Sequence, residues 1–292
     1  MTRFFDLTLN GVTNGMIYAL VALGLVLIWR ATRVINFAQG AMAMFTTYLS
    51  VSLLDRSVGY WWAFAFALFA GLVFGAVVER VLVRPVENKP PINAVIVTLG
   101  LLILLEALAG AIWGGQDRAF PAAFSQAGLK VGRTQLAFSR FDVFIVVIVF
   151  AMMLALLALF QGSDLGLRMR ASAFAPEVSR LLGVRVGRML TLGWALASLA
   201  GSLAGVLVAP LVLLFPNNMD TVLIFSFTAA IIGGLESPIG ALIGGIVVGL
   251  SLSYVGGYLG SSLETLGALA ILLVVLMLRP EGIFSRAAPR RV

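Results

Sequence analysis

The chain has 292 residues, 61% of them apolar and only 11% charged, against roughly 45–50% and 25% in an average soluble domain, and its mean hydropathy is +1.05. This composition belongs in a membrane, and with no Cys and no His it excludes disulfide frameworks, thiolate nucleophiles and every zinc, haem or iron–sulfur site built on those ligands. The net charge of +7 would raise the question of nucleic acid in a soluble protein, but in a membrane protein it is the excess that cytoplasmic loops collect.

A span needs about 20 apolar residues to cross about 30 Å of hydrocarbon, which leaves room for about eight or nine helices and no sizeable soluble domain. Apolar runs fall at 9–29, 34–54, 61–79, 92–113, 142–160, 190–214, 222–235, 239–258 and 262–278. The expected architecture is all-α and polytopic, a single transmembrane domain over 1–292 with short loops and a longer one at 161–189. With the amino terminus outside, the inside loops and tail hold Arg30, Arg33, Arg80, Arg84, Lys89, Arg168, Arg170, Arg180, Arg185, Arg188, Arg279, Arg286, Arg290 and Arg291, which is 14 of the 20 basic residues. Four of the remaining six lie in the long loop 114–141, and long loops obey the positive-inside bias least. The orientation predicted is amino terminus out and carboxyl terminus in.

The first run resembles a signal peptide in its position, but it ends directly in Arg30-Ala31-Thr32-Arg33 with no small-x-small site before it, so it reads as an uncleaved span. The second begins with Asn36-Phe37-Ala38-Gln39-Gly40, amides and a glycine where membrane depth is expected. A comparable interruption, Gly233-Gly234-Leu235-Glu236-Ser237-Pro238, follows the run at 222–235. Backbone loosened by Gly and Pro is tolerated in a bilayer only where protein or water satisfies it, and one such segment in each half of the chain suits a transport pathway and an internal inverted repeat. The alternative is that each is an interfacial turn. Glycines four apart at Gly11/Gly15, Gly71/Gly75, Gly201/Gly205, Gly240/Gly244 and Gly245/Gly249 predict closely packed helices, and a dimer contact would use the same device. Glu106 is the one acid deep in a span, which makes it a pathway candidate unless it is paired or close to the outer interface.

The chemistry available is sparse. Neither Lys89 nor Lys130 stands in a phosphate loop, so the chain cannot hydrolyse ATP alone. A nucleophile elbow, a zincin helix and a His general base are all missing, so no catalytic residue, metal or cofactor is expected. The informative segment is the loop at 161–189. Pro176 suits the first turn of a helix, Glu177 favours its dipole, and Gly183 suits its end. Val178, Leu181 and Leu182 then form an apolar stripe at i, i+3 and i+4. Two turns are not stable alone, so this helix is built to lie in a partner's groove, or else on its own bundle or on lipid headgroups.

The run Glu177-Val178-Ser179-Arg180-Leu181-Leu182-Gly183 resembles the cytoplasmic motif of bacterial ATP-binding cassette importer permeases, with Val in place of the first Ala of the usual Glu-Ala-Ala. Together with Gly166-Leu167-Arg168-Met169-Arg170-Ala171, the early Asn36–Gly40 segment, the 233–241 segment and Arg279-Pro280-Glu281-Gly282-Ile283-Phe284, it makes nearly the whole chain similar to permeases of the branched-chain amino acid type. The resemblance implies a bacterial inner-membrane subunit that pairs with a second homologous permease, two cytoplasmic ATPase subunits and an extracytoplasmic binding protein, with no nucleic acid. It also implies coupling to the ATPase through Gly166, Arg168, Arg170, Ala171, Pro176, Glu177, Ser179, Leu182 and Gly183. The expected pathway residues are Asn36, Gln39, Gly40, Glu106, Gly233, Gly234, Glu236, Ser237 and Pro238. Many relatives carry His where this chain has Gln39, which bears on selectivity, since relatives also carry short amides and urea. An ion-coupled secondary transporter using Glu106 is the alternative from another class.

Overall fold

The computed structural model describes residues 2–87, 89–131, 134–279 and 282–283. Each of the nine apolar runs becomes a helix. Seven are long and apolar enough to span: α1 (Thr2–Thr32), α3 (Tyr60–Val78), α4 (Pro91–Trp113), α5 (Arg140–Gly162), α8 (Val186–Val212), α10 (Pro238–Tyr258) and α11 (Glu264–Leu278, with a short 3-10 turn before it). Two are short: α2 (Gln39–Leu54, 16 residues) and α9 (Asp220–Gly233, 14 residues). The loop at 161–189 adds α6 (Asp164–Phe174) and α7 (Pro176–Leu181). The chain is an all-α polytopic membrane protein.

Caps set several of the boundaries. Ser139 and Asp142 form a reciprocal capping box at the start of α5, and the Ser163 and Ser237 hydroxyls accept hydrogen bonds from Gly166 and Gly240 at the starts of α6 and α10. One element was not expected. Residues 128–139 form a hairpin of β1 (Gly128–Val131) and β2 (Thr134–Ser139), antiparallel, with Lys130 opposite Gln135 and a bulge between Gly128 and Lys130. The backbone N–H of Ala137 donates to Asp6 at 3.0 Å, which ties the hairpin to the start of α1.

The interior is built by α1, α8, α2, α9 and α10, with α3, α4, α5 and α11 outside them. In lipid there is no hydrophobic drive to bring helices together, so close backbone approach and interlocking shapes must do it. Where α1 crosses α10, Gly11 and Gly15 meet Gly245 and Gly249, and a Cβ on Gly15 would stand 2.8 Å from the Gly245 carbonyl oxygen. Gly71 and Gly75 lie against Trp194, Ser198 and Ser202 of α8, Gly201 and Gly205 against α2, and Gly240 and Gly244 against α9. All five glycine pairs foreseen in the sequence are therefore occupied by contacts inside the chain.

The two ends of the bundle differ. At one end, Arg30, Arg33, Arg170 and Glu236 line a common cavity, Arg168, Arg185 and Arg188 line another, and Arg84 reaches Gly187. This is called the basic end below, and it gathers loops predicted to lie on one side. At the other, the hairpin end, Arg118 exchanges two backbone hydrogen bonds with Leu214 and pairs with Asp55.

Candidate functional site

Two regions carry the residues singled out in the sequence. The first is the loop at the basic end. Gly166 is buried where α6 folds back on α5, so close to the Leu159 and Phe160 carbonyls that no side chain fits there. Arg170 and Arg168 turn to different cavities, and Ala171 accepts a hydrogen bond from the Ala175 N–H. Pro176 opens α7, as expected, and Glu177 lies in its first turn. Gly183 has φ +81°, left-handed backbone that glycine adopts without strain, and its N–H closes on Arg180 while that of Val184 closes on Ser179. The predicted helix over 176–183 is thus one helix plus its left-handed stop.

The side chain α7 buries is Ser179, not the apolar stripe. Val178 is 55% exposed, Leu181 87% and Leu182 78%, and Phe174 at the end of α6 is 92% exposed. The stripe therefore does not lie on the chain's own bundle. Beside it, Arg168, Arg185 and Arg188 surround an open cavity of about 430 Å³ together with Leu182 and Gly183. Large apolar side chains exposed beside arginines make a patch of the kind that marks a protein or membrane interaction surface.

The second region is the interior of the bundle. After Thr32 the chain leaves helix, and residues 33–38 turn back inward so that α2 starts deep inside. Asn36 and Gln39 are both fully buried and fully engaged. Asn36 Nδ2 donates to Gln39 Oε1 at 3.0 Å, its Oδ1 accepts from the Ala38 N–H at 3.0 Å, and Gln39 Nε2 donates to the Ala197 carbonyl at 2.8 Å. The Gln39 amide lies between α1 and α8 in a slot that only glycine provides, since a Cβ on Gly24 or on Gly201 would stand 2.7 Å from Nε2. These amides hold the inward turn together.

Gly40 backs onto Met219, immediately before α9, with the Met219 carbonyl 3.2 Å from the position of a Cβ. The starts of α2 and α9 thus meet inside the bundle although their chains arrive from opposite ends, α2 from Arg33 and α9 from the Arg118–Leu214 bridge. The two helices rise only about 24 Å and 21 Å, short of a full crossing. Residues 213–219 form the second inward break, and sequence reasoning missed it. Its signal was Phe215-Pro216-Asn217-Asn218 between two apolar runs.

The segment 233–238, which the sequence offered as that break, is a capped turn at the basic end. Gly234 terminates α9 with φ +87°, Ser237 caps α10, Pro238 opens it, and Glu236 pairs with Arg33 in solvent. Gly233 and Gly240 pack backbone to backbone across the turn. Gly282 of the terminal motif packs on Gly234, and the Ile283 N–H donates to Ile232 at 2.9 Å. Pro280, Glu281 and Phe284 of that motif lie outside the described residues. Glu106 on α4 lies near Asp220, the first residue of α9; its Oε1 is buried without a hydrogen-bond partner, and neither carboxylate forms an ion pair among the described residues. Asp220 was not foreseen, because it stands at the edge of a run and reads as a turn residue. Among the described residues no three acidic side chains gather as a metal site would require.

A third cluster was not foreseen at all. Glu79, 1% exposed, accepts from Arg84 Nε and Nη2 at 3.1 and 3.0 Å and from the Thr191 hydroxyl at 2.8 Å, and Arg84 also donates to the Gly187 carbonyl. The π-helical turn Glu79–Val83 at the end of α3 places these groups, and the cluster bolts that end to the first turns of α8, directly after the loop at 161–189.

Residues 7–278 match the family described as the permease component of the branched-chain amino acid transport system. The chain is 30% identical to the high-affinity branched-chain amino acid transport system permease protein LivH of Escherichia coli K12, with 99% of this chain and 98% of that protein covered. It is 28% identical to the permease protein BraD of Pseudomonas aeruginosa, again over 99% and 98%. A solved structure, PsaBC from Streptococcus pneumoniae in complex with Fab, shares the fold with a TM-score of 0.51 at 13% identity, covering 93% of this chain and 91% of that one. The chain belongs to the permease family of the branched-chain amino acid importers of the ATP-binding cassette class.

Proposed function

We propose that the chain is one permease half of an ATP-driven importer for branched-chain or related apolar amino acids. It lies in a bacterial inner membrane with its amino terminus outside and its basic end in the cytoplasm. A second homologous permease completes the pathway, two cytoplasmic ATPase subunits drive it, and an extracytoplasmic binding protein delivers substrate. The observation that carries this reading is the surface of Phe174, Val178, Leu181 and Leu182, exposed and flanked by arginines at one end of the bundle. It suits a groove on an acidic-rimmed partner, and a chain with no nucleotide-binding loop needs such a partner.

In this reading α6 and α7 receive the movement of the ATPase dimer, and the start of α8 passes it to α3 through the Glu79–Arg84–Thr191 cluster, so that helices rock as rigid bodies. Gly166, Pro176, Ser179 and Gly183 shape the coupling element, while Arg168, Glu177 and Leu182 face the partner. The inward turn at Asn36, Gln39 and Gly40 and the capped turn at Gly233, Gly234, Glu236, Ser237 and Pro238 are the hinges beside the pathway, and Glu106 with Asp220 supplies polarity along it. A pathway with few fixed charges suits a zwitterion with an apolar side chain, and a small amide such as urea is the competing cargo.

The test is uptake and ATPase activity of the reconstituted complex carrying Glu177→Arg or Gly183→Asp. Both variants should insert and assemble but hydrolyse ATP without driving uptake, and normal transport by both refutes the coupling assignment. The Glu106–Asp220 pair favours a second reading, an ion-coupled carrier. That reading requires gradient-driven uptake by the purified chain alone in liposomes, abolished by Glu106→Gln.

A further inference from the structure

A cavity of about 260 Å³ opens at the basic end between α1, α5, α6, the start of α8 and the turn before α10, on the other side of α6 from the cavity of Arg168, Arg185 and Arg188. Its wall carries the guanidinium groups of Arg30, Arg33 and Arg170 and the carboxylate of Glu236, and its floor includes Phe160 and Met169, both buried. Glu236 is engaged by Arg33. Arg30 and Arg170, each only partly exposed, form no ion pair among the described residues; the one carboxylate on the wall, Glu236, acts on Arg30 from a distance but is already engaged by Arg33, so three guanidinium groups share one acid. Two unneutralised guanidinium groups facing a shared space over an apolar floor call for an anion between them, and their planar forks match phosphate oxygens.

The level of the cavity identifies the kind of anion. Arg30 directly follows the apolar run ending in Trp29, and the Arg33 guanidinium lies 5.9 Å from the centre of the Trp29 ring, an arrangement typical of the headgroup layer. The volume takes a phosphate headgroup, and at this level the phosphate held by the surrounding lipid is supplied at far higher local concentration than the free ion, with its acyl chains left in the bilayer outside. We propose that this cavity binds the phosphodiester headgroup of an anionic phospholipid, held between Arg30 and Arg170. Such pockets between membrane helices on the cytoplasmic side are suited to anionic headgroups. The proposal rests on the membrane location and orientation proposed above and shares Arg170 and Phe174 with the coupling region, so lipid retention is measured on the chain without an ATPase, where failure of the coupling assignment has no effect.

The experiment is native mass spectrometry and thermal unfolding of the full chain, purified in mild detergent and supplied with phosphatidylglycerol, phosphatidylcholine or inorganic phosphate. The wild type should retain one phosphatidylglycerol and be stabilised by it, with no effect of phosphatidylcholine or phosphate. Arg30→Gln/Arg170→Gln should lower retention by about tenfold or more, since both charge-assisted contacts are lost. Equal retention by the double variant overturns the proposal, and stabilisation by inorganic phosphate equal to that by the lipid overturns the lipid as the source. Should the double variant fail to fold, Arg170→Lys decides: it keeps the charge but loses the fork, so retention should fall several-fold, and unchanged retention refutes the site.

Discussion

The Glu79–Arg84 pair allows a prediction whose sign pattern is more telling than its size. Replacing Arg84 with Met leaves the Glu79 carboxylate, 1% exposed, with the Thr191 hydroxyl as its remaining donor. Replacing Glu79 with Leu leaves Arg84 in an easier position, because it is 34% exposed and keeps the Gly187 carbonyl and the Thr191 oxygen as acceptors. Breaking a buried pair costs about 3–5 kcal/mol, so Arg84→Met should fall at the top of that range and Glu79→Leu at the bottom. The double variant removes both charges together and should lose only about 1–2 kcal/mol, less than either single change. Equilibrium unfolding in mild detergent, followed by tryptophan fluorescence, measures all three. If the double variant loses the sum of the two single losses, the groups are uncoupled and the bolt between α3 and α8 does not exist.

Three further predictions rest on single positions. At the α1–α10 crossing, a Cβ on Gly245 would stand 2.6 Å from the Ala19 Cα, so Gly245→Val should cost about 3 kcal/mol or abolish folding, whereas Gly100→Ala on the open face of α4 should be tolerated in the same unfolding assay. Gly183 sits in left-handed backbone with open space around it, so Gly183→Asn should retain most coupled uptake while Gly183→Val, strained by about 1–2 kcal/mol, should lose much of it. The Arg33–Glu236 pair is more than half exposed on both sides, and Glu236→Gln should change stability by less than about 1 kcal/mol; a larger loss would mean that the pair is buried in the assembly.

The helices were legible because hydropathy over about 20 residues is a strong signal, and the glycine pairs were legible as contacts, though their partners were not. Depth was not legible. Residues 233–238 and 213–219 both carry turn-forming residues, yet the first closes a capped turn at the basic end with Glu236 in solvent, and the second runs from exposed Leu213 to buried Met219 against the start of α2. What separates them is the length of α9, 14 residues, and where its start meets α2, which is tertiary information. Asn36 and Gln39 looked like pathway residues because amides at depth are rare; in the fold their polar atoms are consumed by one another and by Ala197. Glu79 and Arg84 were hidden among charges that the positive-inside bias already explained. The hairpin at 128–139 was missed because its alternation lasts only a few residues within a loop. The bounds of α7 could be read directly, since proline and glycine mark its ends, but the exposure of its stripe could not, because a two-turn helix takes its surroundings from the fold.

The meeting of α2 and α9 also bears on how the protein is made. Neither short helix carries enough apolar length to enter a bilayer as an independent span during synthesis, so each must go in with a longer neighbour: α2 with α1 through the turn at 33–38, and α9 with α10 through the turn at Gly234. The start of α2 is then left inside the membrane with no lining on one side until Met219 arrives from the second half of the chain. The first half therefore cannot be a finished unit when it leaves the ribosome. A chain stopped after α5 should hold an open, hydrated defect at Gly40 and be a ready target for membrane proteases, which makes synthesis of the second half the step that completes the first.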